Sequence, residues 1–131
     1  MSSVIRAVCL LLFNTLVWGQ GLEFIQANYT KYEYLIPMRD GNKLFTAVYI
    51  PKDTSEQYPV MLTRTPYSVS PYGADNYRER LGPSEIFGKE KFIFVYQDVR
   101  GRNRSEGEYM NVRPHNPAKK VPSDVDESTD T

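Results

Sequence analysis

Two adjoining stretches of the chain carry the hydrophobic pattern of strands. Residues 32–38 (YEYLIPM) and 44–50 (LFTAVYI) are rich in aromatic and β-branched side chains. Arg39-Asp40-Gly41-Asn42 lies between them, and its Asp-Gly pair favours a tight hairpin turn. Along the second arm Leu44, Thr46, Val48 and Ile50 point to one side, and Phe45, Ala47 and Tyr49 to the other. Both sides are fairly apolar, which predicts a hairpin covered on two faces. Val60-Met61-Leu62-Thr63 reads as a third, short buried strand running into Arg64-Thr65-Pro66-Tyr67. Ser68 to Gly73 is loop by composition. Asp75 to Leu81 (DNYRERL) predicts a short helix capped by Asp75 and ended by Gly82-Pro83-Ser84. Phe92-Ile93-Phe94-Val95-Tyr96 is a continuous apolar run, as expected of a central strand buried on both faces. After Gln97-Asp98-Val99-Arg100-Gly101 only turns are predicted up to residue 123. Asp124 to Thr131 then gathers carboxylates where a helix would start.

The N-terminus follows another logic. Met1 to Arg6 is a short start with one positive charge, Ala7 to Val17 is almost wholly apolar, and Val17-Trp18-Gly19 offers small residues where a signal peptidase reads. This predicts a secretory signal over 1–19 and a mature domain over 20–131, exported to a periplasm or secreted. A buried N-terminal helix is the competing reading. The apolar core of about 11 residues is shorter than the roughly 20 that span a bilayer, so no stable membrane span is expected. Cys9 precedes the apolar core, unlike a lipid-attachment cysteine, and leaves with the signal; the mature chain then has neither disulfide nor thiolate.

Charge excludes some partners. Sixteen basic residues balance sixteen acidic ones, which argues against nucleic-acid binding through a basic field. An aromatic content of 13% is not that of a disordered chain. The apolar content left after the leader is thin for an exported domain without staples, which points to part of something larger.

Residue types alone give no complete active site. His115 is the only imidazole; it lacks a nucleophile context and reads as a surface-loop residue. Asp124, Asp126, Glu127 and Asp130 match no calcium-loop spacing and read as a solvated helix start. Gly101, Ser105 and Gly107 lack the strand–glycine–helix order of a phosphate loop. No serine sits in a G-x-S-x-G elbow. Asn28-Tyr-Thr and Asn103-Arg-Ser fit the N-glycosylation rule. No metal and no cofactor are expected.

The words IPMRDGNKLFTAVYIPKD, YPVMLTRTPYS, FIFVYQDVRGRNRSEGEY and DVDESTDT, in this order, resemble the start of the CocE/NonD hydrolases. That group holds the Xaa-Pro dipeptidyl-peptidase-like enzymes, cocaine esterase and α-amino-acid ester hydrolases, and the likeness runs from Tyr32 to Thr131. The resemblance implies an α/β class: the N-terminal part of an α/β-hydrolase fold, made of a hairpin, a third strand, a crossover and a central strand. It also implies a Ser–Asp–His triad and an acyl-enzyme formed on a small-molecule or peptide acyl substrate. The family's oxyanion donor is a tyrosine hydroxyl, matched by Tyr67. Asp98, Arg100 and Glu106 belong to the family word but not to its triad; they are expected to be structural, Asp98 and Arg100 tying down the turn after the central strand and Arg64 holding the same neighbourhood. The family's nucleophile elbow, acid and histidine come after the segment matched by Asp124–Thr131, so the chain is read as truncated before the elbow and, alone, inactive. The competing class is a small secreted β-rich binding module with the tyrosine-rich loop Ser68–Tyr77 as its surface. Such a module should melt cooperatively on its own; a fragment should aggregate.

Overall fold

The structure is a computed structural model that describes residues 21–131. Residues 1–19, where a secretory signal is expected, and Cys9 with them lie outside the described residues. Strands β1 (Tyr29–Pro37), β2 (Lys43–Pro51), β3 (Val60–Thr65) and β4 (Ile93–Asp98) form one mixed sheet in the order β1-β2-β4-β3. A short helix α1 (Leu22–Asn28) precedes β1, and α2 (Glu85–Lys89) lies in the crossover from β3 to β4. The expected hairpin forms, with Tyr34 opposite Thr46, but begins at Tyr29. Its turn closes through Met38 N–H to Asn42 O (2.8 Å) and Gly41 N–H to Met38 O (2.9 Å), with Gly41 at φ +88°. Only glycine takes that left-handed conformation without strain, which is why Asp-Gly stands there. β4 is central, antiparallel to β2 and parallel to β3.

Pairing register sorts the side chains onto two faces. One carries Tyr29, Phe45, Ala47, Tyr49, Phe94 and Tyr96, which with Ile25, Val69 and Leu81 form the buried core. Burial of each large apolar side chain there contributes about 1.5–3 kcal/mol. The phenols keep polar partners. Tyr29 Oη donates to Gly88 O (2.9 Å), Tyr49 Oη accepts from Arg78 N–H (3.2 Å), and Tyr96 Oη accepts from Gly82 N–H (2.8 Å). Three core tyrosines thus pin the crossover.

Five local expectations are corrected. No helix forms over Asp75–Leu81. Tertiary bonds claim that segment: Arg78 donates to Val69 O and Ser70 O and lies over the Tyr96 ring, while Leu81 is fully buried. The residues expected to end that helix, Gly82-Pro83-Ser84, instead lead into α2. β3 is not buried: Val60 and Leu62 are exposed, because among the described residues β3 is an edge strand whose outer face is covered only at Arg64, by the C-terminal turn. The hairpin is covered on both faces only along β2; Tyr32 to Pro37 of β1 is mostly exposed. The C-terminal carboxylates start only a single 3₁₀ turn, Glu127–Thr129, capped by Asp126, and Asp126 and Asp130 are buried instead of solvated.

Candidate active site at the carboxyl ends of β3 and β4

β3 and β4 run parallel and end side by side, Thr65 opposite Asp98. Open α/β sheets bind ligands at the carboxyl ends of such strands, where the connecting loops diverge. Here both loops are built around strand-end residues.

Tyr67 sits at the first turn beyond β3. Its N–H donates to Thr65 Oγ1 (3.0 Å), and its side chain is 88% exposed. The next residue, Ser68, has φ +84°, a left-handed conformation that costs a serine on the order of 1–3 kcal/mol unless its surroundings hold it there. They do: Ser68 Oγ bonds the Tyr72 hydroxyl (2.9 Å) and accepts from Ser70 N–H (3.1 Å), and Val69 N–H donates to Asp98 Oδ1 (3.0 Å). The loop therefore presents a phenol to solvent on a backbone fixed from below.

Asp98 joins the two loops. It is fully buried, and its carboxylate also accepts from the Tyr72 hydroxyl (2.9 Å), Asn103 Nδ2 (3.2 Å) and Arg104 N–H (3.3 Å). Burial, with the Asp98 charge, pushes the Tyr72 phenol up from its ordinary value, against the Ser68 bond. Asn103 takes the left-handed conformation, φ +49°, and bonds Pro66 O as well. Its side-chain amide is thus committed between the β3 and β4 loops.

Arg100 is buried between two carboxylates: Asp40 in the hairpin turn (Nη1–Oδ2 2.7 Å) and Asp130 at the C-terminal end (Nη2–Oδ1 2.7 Å). The Asp130 bonds, then those to Asp40, raise the guanidinium further above its ordinary value despite desolvation. Burial alone would raise the Asp40 carboxyl; the Arg100 and Asn42 hydrogen bonds and the Arg100 charge outweigh it and hold it below 3.8. Arg64 donates to Gln97 Oε1 (2.8 Å) and Glu127 Oε2 (2.9 Å), while its buried Nη2 lies 3.9 Å from Asp130. Glu106 pairs with Lys43 through backbone and side chain (2.9 and 2.8 Å), and Ser105 Oγ links Phe45 N–H to Asp98 O. Gly101 has φ +69°, and a Cβ there would meet Tyr109 N at 2.2 Å. The word Q-D-V-R-G-R-N-R-S-E-G is thus a description of one loop folding back onto β2.

The remaining candidates lie apart from Tyr67 in role. His115 is on the surface, with Nδ1 3.0 Å from Asp126. Asp126 also takes Lys119, Asn116 N–H and Ser128, and the Lys119 bond above all holds its carboxyl well below the usual range. Asp124 accepts from Lys120 and Val121 N–H groups. Among the described residues no cluster of His, Cys, Asp or Glu is arranged to hold a metal, and no helix is long and apolar enough to cross a membrane. Asn28 is exposed and donates to Phe24 O. Sequence reasoning missed Asp40 and Asp130 as the partners of Arg100, and missed Lys31 and Glu33 beneath the Tyr67 loop. The expected strand began at residue 32, so Lys31 was not placed on the face that the observed strand gives it with Tyr29 and Glu33.

A mixed sheet with a parallel pair, a crossover and polar loops at its carboxyl ends is the opening of an α/β-hydrolase. Solved structures agree. An α-amino acid ester hydrolase, in selenomethionine-labelled form, superposes with TM-score 0.59 at 40% identity over 79% of this chain. An aminopeptidase from a marine sediment archaeon, Thaumarchaeota archaeon, gives 0.61 at 37% identity over 79% of this chain. The chain spans 17% of the length of each of these two structures. No curated protein sequence matches it. The profile of the X-Pro dipeptidyl-peptidase (S15) family matches residues 40–129, and the chain belongs to that family.

Proposed function

We propose that this chain supplies the opening portion of an exported serine hydrolase that cleaves ester or amide bonds of acyl, aminoacyl or dipeptidyl substrates through an acyl-enzyme. Tyr67 is its oxyanion donor; the serine, acid and histidine of the triad come from chain beyond Thr131. The observation that carries this reading is the Tyr67–Ser68 turn: an exposed phenol at the carboxyl end of β3, followed by a serine in a strained conformation that Asp98 and Tyr72 sustain. Strain kept in place by surrounding bonds is characteristic of functional loops. A neutral phenol held on a fixed turn stabilises a developing oxyanion without reorganising at the moment of reaction. Residues 20–131 alone have the donor and no nucleophile, so they are inactive.

The test is Tyr67→Phe in the full-length protein. Loss of one oxyanion donor should lower kcat about 10²–10³-fold. The urea midpoint should stay put, because the hydroxyl is exposed and bonds nothing buried. An unchanged kcat on ester and dipeptide substrates would overturn the assignment. Turnover by residues 20–131 that a serine-directed inhibitor abolishes would refute the missing nucleophile.

A further inference from the structure

Lys31 is an unusual strand residue. Its side chain is fully buried beneath the loop that follows β3. Its Nζ lies 2.7 Å from Pro71 O, 2.8 Å from Gly73 O, 2.8 Å from Asn76 O and 2.8 Å from Glu33 Oε1. An ammonium has three hydrogens, yet four oxygens surround it at nearly one distance. That is the environment of a coordinated monovalent cation more than of an ion pair with a single partner. Glu33 Oε1 also accepts from Gly73 N–H (2.7 Å), so one carboxylate oxygen serves the cation and the loop backbone together. The Tyr49 ring, 5.9 Å away, completes the surroundings. Without a positive charge at their centre, three carbonyl dipoles and a carboxylate would converge on one another in a buried space, which is costly.

The loop so held is the one that begins with Tyr67. Its first half is fixed by Asp98 through Val69 and Tyr72; its second half, residues 71–76, is fixed by Lys31. Tyr72 lies between the anchors and bonds Ser68, the residue next to Tyr67. We propose that Lys31 is a positioning residue for the oxyanion donor: a tethered cation that gathers the carbonyls of residues 71–76 and thereby fixes the loop presenting Tyr67. This rests on the role proposed above for Tyr67. Lys31 precedes the stretch matched by the family profile, residues 40–129.

The test uses the full-length protein carrying Lys31→Met, which keeps much of the side-chain bulk and removes the charge, and Lys31→Ala, which opens the cage. In both, amides of residues 68–77 should exchange with solvent at least about tenfold faster, while those of β4 keep their protection. The value of kcat on an ester substrate should fall about tenfold to a hundredfold with KM little changed, as expected of a displaced catalytic group. Added n-propylammonium chloride replaces the fragment missing from Lys31→Ala and should restore both readouts; tetramethylammonium chloride at equal ionic strength should restore neither. In a Tyr67→Phe background, Lys31→Met should still loosen the loop but cost no further kcat. Unchanged exchange over 68–77, or a kcat loss of the same size with and without the Tyr67 hydroxyl, overturns the proposal. If Tyr67→Phe alone leaves kcat intact, the oxyanion reading has failed, and the exchange and propylammonium arms separately decide whether Lys31 organises the loop. If Lys31→Met does not fold, Lys31→Ala refolded in n-propylammonium gives the same readouts; failure to fold there too overturns a local role.

Discussion

A carboxylate at the end of a strand with no solvent around it must find every hydrogen bond within the protein. Asp98 finds four donors, from Val69, Tyr72, Asn103 and Arg104, divided between the loops after β3 and β4. Each donor left buried and unsatisfied costs about 1–3 kcal/mol, although loops at a surface recover part of that by admitting water. Asp98→Ala should therefore destabilise the full-length protein by about 3 kcal/mol, read as a lower urea midpoint. Turnover per folded molecule should fall less, because Tyr67 keeps its bond to Thr65 and the second half of the loop keeps Lys31. A midpoint that does not move while turnover is lost would reverse this assignment and make Asp98 part of the chemistry.

At the scale of elements, the crossover from β3 to β4 has one helix of five residues and owes its shape to the core tyrosines it covers. Tyr29 and Tyr49 are fully buried, and desolvation first of all pushes each phenol from 10.0 up to about 12. The sign follows: a raised folded value favours the neutral phenol, so its contribution to stability is complete below pH 10 and is lost as the pH climbs toward 12. Phenolate absorbance should keep rising above the range of free tyrosine, and its last step should coincide with loss of the sheet's circular dichroism. Ionisation complete by about pH 11 with the sheet intact would contradict the burial of these rings. The same rings explain what was legible in the chain. The hairpin and β4 were readable because alternation, Asp-Gly and a continuous apolar run are local signals. The fate of Asp75–Leu81 was not, since Arg78 is fixed by Tyr49 and Tyr96, partners on strands β2 and β4. Nor was the exposure of β3, which depends on what lies beside it in the sheet and not on its own residues. Tyr67 was singled out only through its family word; Lys31 is disguised as one polar residue in a half-polar strand.

The whole molecule has one finished face and one covered only along β2 and the end of β4. Core and crossover cover the side of the sheet that holds Phe94 and Tyr96. On the other side Tyr32, Tyr34 and Ile36 of β1 and Val60 and Leu62 of β3 are exposed, with Val60 at 62%. Among the described residues β3 also has an unpaired outer edge. An apolar face beside an open strand edge either meets a partner or drives association. On the reading proposed above that partner is the rest of the hydrolase, the chain spanning 17% of the two solved structures, and the two possibilities make opposite demands on the same substitutions. In residues 21–131 alone, sedimentation velocity should show concentration-dependent association, and Val60→Lys with Leu62→Lys should reduce it. In the full-length protein the same pair should lower the unfolding midpoint, because each side chain would lose about 1.5–3 kcal/mol of burial. A monomeric isolated segment, or a full-length protein indifferent to both lysines, would mean that this face is finished as it stands, and the reading of the chain as the opening of a larger fold would lose its physical support.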